Sequence, residues 1–188
     1  GHATRSRVIL DHLHASGHDL SVVASGRAHS FLSRRFADHP RMRFHEIHGL
    51  HLRYDGNASD LGRSILSNLG DAPRGIARNI DIYRDVTQGE GEPQAVISDF
   101  ESWAFFYGLN HYLPVISIDN MQIINRCTHP PDITGDPSFQ LAKAAVKVKL
   151  PGAFHYLVTT FFFPPVRKDR TTLIPPILRP EIRAARRE

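Results

Sequence analysis

Cysteine occurs once, at Cys127, so the chain cannot staple itself with an internal disulfide. No apolar run approaches the roughly 20 residues that a membrane-crossing helix requires, and no secretory leader is visible. Together these absences lead to the expectation of a cytoplasmic protein. Neither a Walker A sequence nor a complete G-x-G-x-x-G fingerprint occurs, which argues against kinase and dehydrogenase chemistry. No internal repeat or low-complexity segment is present, so solenoids and disordered linkers are excluded as the main architecture.

What is present suits a globular chain. With 188 residues and 41% hydrophobic content, it is long enough for one sizeable core and short for two ordinary domains. The net charge of +4 is concentrated late, in Arg167, Lys168, Arg170, Arg179, Arg183, Arg186 and Arg187. Such a stretch could meet nucleic acid or anionic lipid. No aromatic residue interleaves the arginines after Phe163 as base stacking would need, so no nucleic-acid partner is expected, and peripheral contact with the inner face of a membrane is kept as an expectation. Of the 12 histidines, His45, His48 and His51 recur every third residue. In an extended stretch that spacing does not put them on one face, and no metal site is expected. The Asn57-x-Ser triplet has no role in a cytoplasmic protein.

Periodicity sets out the elements. Val8, Ile9, His12 and Leu13 give a helix that opens directly after Gly1-His2 and closes at Ser16-Gly17. A strand over 18–25, a helix over 28–36 and a strand over 42–47 form a βαβ pattern, the signature of a parallel sheet. Residues 50–70 read as an irregular insert with a turn at Asp55-Gly56-Asn57. Ile76, Ala77, Ile80 and Tyr83 mark a helix over 73–86, starting at Pro73. Further strands are expected over 95–98, 115–118, 154–161 and 171–174, with helices over 102–110 and 139–150. The fold class is therefore α/β, a Rossmann-like parallel sheet with helices on both faces. Its domain would span 1–175, with a proline-rich linker or the start of a further domain over 176–188. A Gly-His turn into a helix normally follows a buried strand, so a first strand is expected before Gly1.

In open parallel sheets ligands sit beyond the C-terminal ends of the strands. That rule selects the Gly1-His2 turn, the turn from Asp99 to Ser102, and the turn from Asp119 to Gln122. A histidine and a carboxylate on neighbouring loops suit general-base chemistry, because the carboxylate sets the imidazole tautomer and stabilises its charged form. His2 and Asp99 are that pair, although each could equally serve as a local helix cap. Gly1, Thr4, Arg5 and Ser6 at the helix start could hold a phosphate, aided by the helix dipole, while Arg5 could instead pair with Asp11 or another acid. Glu101 is a competing carboxylate, and Asn120 and Gln122 could bond a sugar or diphosphate. Trp103, Phe105, Phe106 and Tyr107 could line an apolar acceptor pocket or simply pack a helix on the sheet. The helix over 139–150, with Lys143, Lys147 and Lys149 among apolar residues, could touch an anionic membrane or present a solvated face. Cys127 lacks the surroundings of a nucleophile.

The runs GHATRSRVILDHL, VISDFESWAFFYGLNHYLPVISIDN and PPILRPEI resemble a bacterial and archaeal family of predicted glycosyltransferases. That family is related to the lipid-linked N-acetylglucosaminyltransferase of peptidoglycan synthesis and, more distantly, to the UDP-glucuronosyltransferases. The resemblance implies the acceptor-binding half of a two-domain GT-B enzyme, most of the nucleotide-sugar donor being held by a C-terminal domain outside this chain. It also implies that His2 is the base, that Asp99 orients it, and that the anomeric carbon is inverted. The acceptor would be a glycan, a lipid or a small molecule, no cofactor is needed, and the chain alone should not turn over substrate. A non-hydrolysing UDP-sugar epimerase half shares the architecture, and a non-catalytic glycan- or phosphate-binding domain is the alternative from another class.

Overall fold

Alternating short apolar runs and amphipathic segments dictate a layered α/β structure, and of the three sheets among the described residues two are parallel and one is antiparallel. The computed structural model describes residues 2–49, 53–55, 58–89 and 91–185, the residues from 53 to 73 by their backbone. Gly1, His51, Gly56, Asn57, Arg186 and Arg187 lie outside the described residues. The chain divides into two compact units, one of Gly1–Val8 with Pro93–Glu188, the other of Ile9–Glu92.

In the first unit, β5 (Val96–Ser98), β6 (Val115–Asp119), β7 (His155–Thr159) and β8 (Thr171–Ile174) form one parallel sheet in the order β5-β6-β7-β8. The helix α4 (Ser102–Asn110) links β5 to β6, and α5 (Ile123–Arg126), α6 (Pro131–Thr134) and α7 (Pro137–Lys149) lie between β6 and β7. Phe105 of α4, Leu150 after α7, and Val115, Tyr156 and Val158 of the sheet form the core, with Ala153. Full burial of a side chain such as Phe105 or Val158 contributes about 1.5–3 kcal/mol. The close approach of α4 depends on Gly108, where an added Cβ would lie 2.6 Å from Val115 Cγ2 and 3.0 Å from Val96 Cγ2. The start of α7 falls two residues before the expected Phe139. Asp136 accepts hydrogen bonds from Ser138 N (2.6 Å) and Phe139 N (3.4 Å), and Pro137 fits the first turn, where no amide hydrogen is required.

The second unit contains β1 (Leu20–Ser25) and β2 (Met42–Ile47), parallel from Leu20 opposite Met42 to Ser25 opposite Ile47. The helix α2 (Gly26–Arg35) makes the crossover. Leu32, Phe36 and Met42 are its buried centre, packed by Leu10, Leu20, Val22 and Phe44. Leu10 belongs to α1 (His2–Ala15), whose first turns lie in the other unit. That helix stops as Ser16-Gly17 predicts. Gly17 takes φ 87°, His18 N donates to Leu13 O (3.1 Å) and Gly17 N to His14 O (2.9 Å), the paired bonds of a left-handed helix end.

The insert expected over 50–70 is regular where it is described. Arg53–Asp55 (β3) pairs antiparallel with Ala58–Asp60 (β4), Asp55 opposite Ala58, and α3 runs over Leu61–Gln88. The helix thus begins 12 residues before Pro73, the expected start. A proline removes one bond of the helical ladder and strains one turn, a local cost of ~3 kcal/mol that a long amphipathic helix absorbs. Leu61, Ile65 and Leu69 already repeat every four residues ahead of it.

Candidate active site

Polar side chains are costly inside a sheet unless they are bonded, so where they gather is informative. In the first unit the buried polar residues include Ser98, Ser117, Asp119, Thr159 and Thr160, within the last three residues of β5, β6 and β7 or just beyond them. This is the edge at which α1 also places its first turn.

Asp99, immediately after β5, is the centre of the group. His2 Nδ1 lies 2.7 Å from Asp99 Oδ1. Arg5, one helical turn on from His2, donates from Nε to Asp99 Oδ2 (3.2 Å) and from Nη2 to Oδ1. Ser6 Oγ donates to Oδ2 at 2.9 Å. Arg5 Nη1 continues to Thr159 Oγ1 at the end of β7 (3.1 Å), so one guanidinium joins the ends of β5 and β7. The side chains of Asp99 and Arg5 are 14% and 13% exposed, whereas that of His2 is 52% exposed. Burial pushes the Asp99 carboxyl up, but the bonds from His2 and Arg5 and the charge of Arg5 outweigh it and hold the group below the usual carboxylate range.

An ionised carboxylate has no proton to give, so at 2.7 Å the hydrogen belongs on His2 Nδ1. Arg5 Nη2, 3.0 Å from the same nitrogen, is then a neighbouring charge and not a second bond. This tautomer leaves the lone pair on Nε2, the arrangement a general base requires. Backbone strain sits beside it. Phe100 holds φ 57°, a left-handed conformation costing about 1–3 kcal/mol for a non-glycine residue, and its ring packs against the core with Lys149 Nζ 4.4 Å from the ring centre.

Asp119, at the end of β6, is held differently. It accepts from Ser117 Oγ (2.6 Å) and from Gln122 N (2.8 Å), and it is fully buried. Burial, joined by the nearby charge of Asp99, pushes its carboxyl up past the opposing pull of Ser117, Gln122 and Arg5.

The other candidates fall in separate places. Thr4 is half-buried on α1 beside Arg5, and Asn120 is exposed after β6. Glu101 accepts from Trp103 N (3.2 Å) and caps α4. Gln122 is 0% exposed, so no ligand reaches it in this state; its Oε1 accepts from Asn125 Nδ2 (3.3 Å), while Nε2 is without a partner. Cys127 is buried, and burial pushes its thiol up, away from nucleophilic use. Of the aromatic run after Asp99, Phe105 and Tyr107 are buried while Phe106 is half exposed. Trp103 stacks on Tyr107, 5.4 Å between ring centres. Among the described residues no group of histidine, cysteine and acidic side chains could hold a metal, and no helix is long and apolar enough to cross a membrane. Thr159 was invisible to sequence reasoning, since a threonine ending a strand carries no signal until its neighbours are known.

A family model described as glycosyl transferase family 1 matches residues 1–188. The chain belongs to glycosyl transferase family 1. No curated protein matches it at a significant level. Membership makes glycosyl transfer the chemistry of this domain, and its parallel sheets flanked by helices are those of a Rossmann-like GT-B half.

Proposed function

We propose that this chain is the acceptor-binding half of an inverting glycosyltransferase and that His2 is its general base. Nε2 takes the proton of an acceptor hydroxyl as the oxygen bonds to the anomeric carbon, and the nucleoside diphosphate leaves with the electrons of the bond it breaks. Attack from the face opposite the leaving group inverts that carbon. Asp99 holds the imidazole through Nδ1 and stabilises the imidazolium that forms, while Arg5 and Ser6 fix Asp99. The nucleotide-sugar donor is held mainly by residues outside this chain. Thr4, Asn120 and the amides at the start of α1 are the groups that would meet the acceptor or a phosphate.

The observation that carries this reading is the 2.7 Å contact between His2 and Asp99 at the C-terminal edge of a parallel sheet, with His2 half exposed. The test is acceptor-dependent release of nucleoside diphosphate by the full-length enzyme. His2→Ala should lower the turnover by roughly 10²- to 10⁴-fold with little change in KM. A His2→Ala enzyme that turned over at the native rate would remove His2 from the chemistry.

A further inference from the structure

Two ordered parts of the first unit display apolar side chains to solvent. One follows β7. Thr160 N donates to Ile174 O (2.9 Å), and Thr160 Oγ1 donates to Phe162 O (2.6 Å) and accepts from Phe162 N (3.2 Å). At the far end Thr128 N donates to Pro165 O (2.9 Å), and Val166 bridges to Cys127. The backbone is therefore tied at both ends, while Phe161, Phe162 and Phe163 between them are 88%, 63% and 60% exposed. The other part is the outer face of α7. Leu141 and Val148 are 61% and 75% exposed, and their seven-residue spacing, with Ala144 and Ala145 exposed between them, puts all four on one face. The inner face carries Val146 to the core. The solvated outer face that sequence reasoning weighed for this helix is apolar at its centre.

Between Asp136 and Asp169 the sequence carries charge of one sign. No Asp or Glu occurs over 137–168, which holds Lys143, Lys147, Lys149, Arg167 and Lys168. Arg167 Nη2 donates to Asn125 O (3.2 Å) and Lys168 Nζ to Asn125 Oδ1 (2.6 Å), so both cations are fixed on one residue. Asn125 lies on α5, which packs against α7, and this brings the basic end of the phenylalanine turn to the side of the lysine-bearing helix. Apolar groups held out by an anchored backbone, with cations beside them, match a surface that is apolar within and anionic at its face. A second copy docking through the same patch would set these cations against one another.

We infer that the first unit docks on an anionic lipid bilayer through residues 161–166 and the outer face of α7. The phenylalanines, Leu141 and Val148 enter the boundary between headgroups and acyl chains, and Lys143, Lys147, Arg167 and Lys168 meet the headgroup phosphates. This inference does not depend on the transferase reading. The test is co-sedimentation of the full chain with phosphatidylcholine vesicles, with and without phosphatidylglycerol. Binding is expected to the anionic vesicles, weakening as salt is raised, and at least ~10-fold weaker to the neutral ones. The triple variant Phe161→Ser, Phe162→Ser, Phe163→Ser should lose binding by at least ~10-fold, as should Leu141→Ser with Val148→Ser. Lys143→Glu with Lys147→Glu should lose it comparably. These side chains are exposed or half-exposed, so thermal melts should match the native chain, and a variant that melts early is replaced by the charge pair alone. Absence of binding to anionic vesicles, or binding that none of the variants changes, overturns the proposal. So does a dimer in sedimentation equilibrium that the triple variant dissolves while vesicles are ignored.

Discussion

Strands β5 and β6 lie side by side and each hands over to its next segment on an aspartate, yet the two carboxyls are held in opposite ways. Asp99 gathers His2, Arg5 and Ser6 from α1 and sits below the usual carboxylate range. Among the described residues Asp119 accepts from a hydroxyl and a backbone amide alone, is fully buried, and sits above that range. The same residue at equivalent ends of neighbouring strands is thus a charged anchor in one case and a buried turn-former in the other. What decides is whether a third element supplies a cation. A carboxylate paired with Arg5 stays ionised and can orient a base, while one satisfied by neutral donors gains little from its charge.

Substitution can break this contrast, and the largest effect is expected in catalysis. Asp99→Asn should reduce acceptor-dependent turnover of the full-length enzyme by roughly 10²- to 10⁴-fold, because an amide no longer secures the imidazole tautomer. Asp119→Asn should leave turnover within about threefold, well under the range of a lost acid–base group. Equal losses in the two would dissolve the distinction.

Stability comes next. Asp99→Asn strands the Arg5 guanidinium, which is only 13% exposed, and should cost about 3 kcal/mol in urea unfolding of the chain. Replacing both partners, Arg5→Met with Asp99→Leu, should recover most of that loss, since the buried charge goes with its partner. A double variant no better than Asp99→Asn would mean that packing, and not the ion pair, is what Asp99 contributes.

The acid limb of stability sharpens the comparison further, because the two signs are opposed. Asp99, with its folded value depressed, contributes stability that is complete above the unfolded value of about 3.9 and is lost as pH falls through the folded value. Asp119, with its folded value raised, contributes most when protonated, and a cost accumulates as pH rises from the unfolded value through the folded one. Urea midpoints measured down the acid range should therefore fall less steeply for Asp99→Asn than for the native chain. For Asp119→Asn they should fall more steeply.

The smallest effect belongs to Asp119 at neutral pH. Asp119→Asn keeps an acceptor for Gln122 N and removes a charge that burial opposes, so it should be neutral or stabilising by about 1 kcal/mol. A loss above about 2 kcal/mol in the same unfolding assay would show that the fold favours the carboxylate over a neutral amide at this position.

Much of this was readable in advance, and the exceptions have identifiable causes. The strand over Met42–Ile47 and the helix over Ser102–Asn110 follow directly from apolar runs and caps. The early start of α3 was missed because Pro73 reads as a first-turn residue, and its penalty, being local, does not end a long helix. His2 and Asp99 were legible as a pair because topology brings strand ends and helix starts to one edge. Arg5 could be placed near that edge but not assigned to Asp99, since Asp11 on the same helix was an equally good partner on paper. Glu101 resembled Asp99 in sequence, and only its bond to Trp103 N marks it as a cap.

Outside residues 50–73, which segments become strands and helices was determined by the sequence alone, because those outcomes depend on residues a few positions apart. What each carboxyl does was decided only by tertiary structure. Ionisation depends on burial and on charges within a few ångströms, and the partners of Asp99 come from residues 93, 94 and 97 positions away.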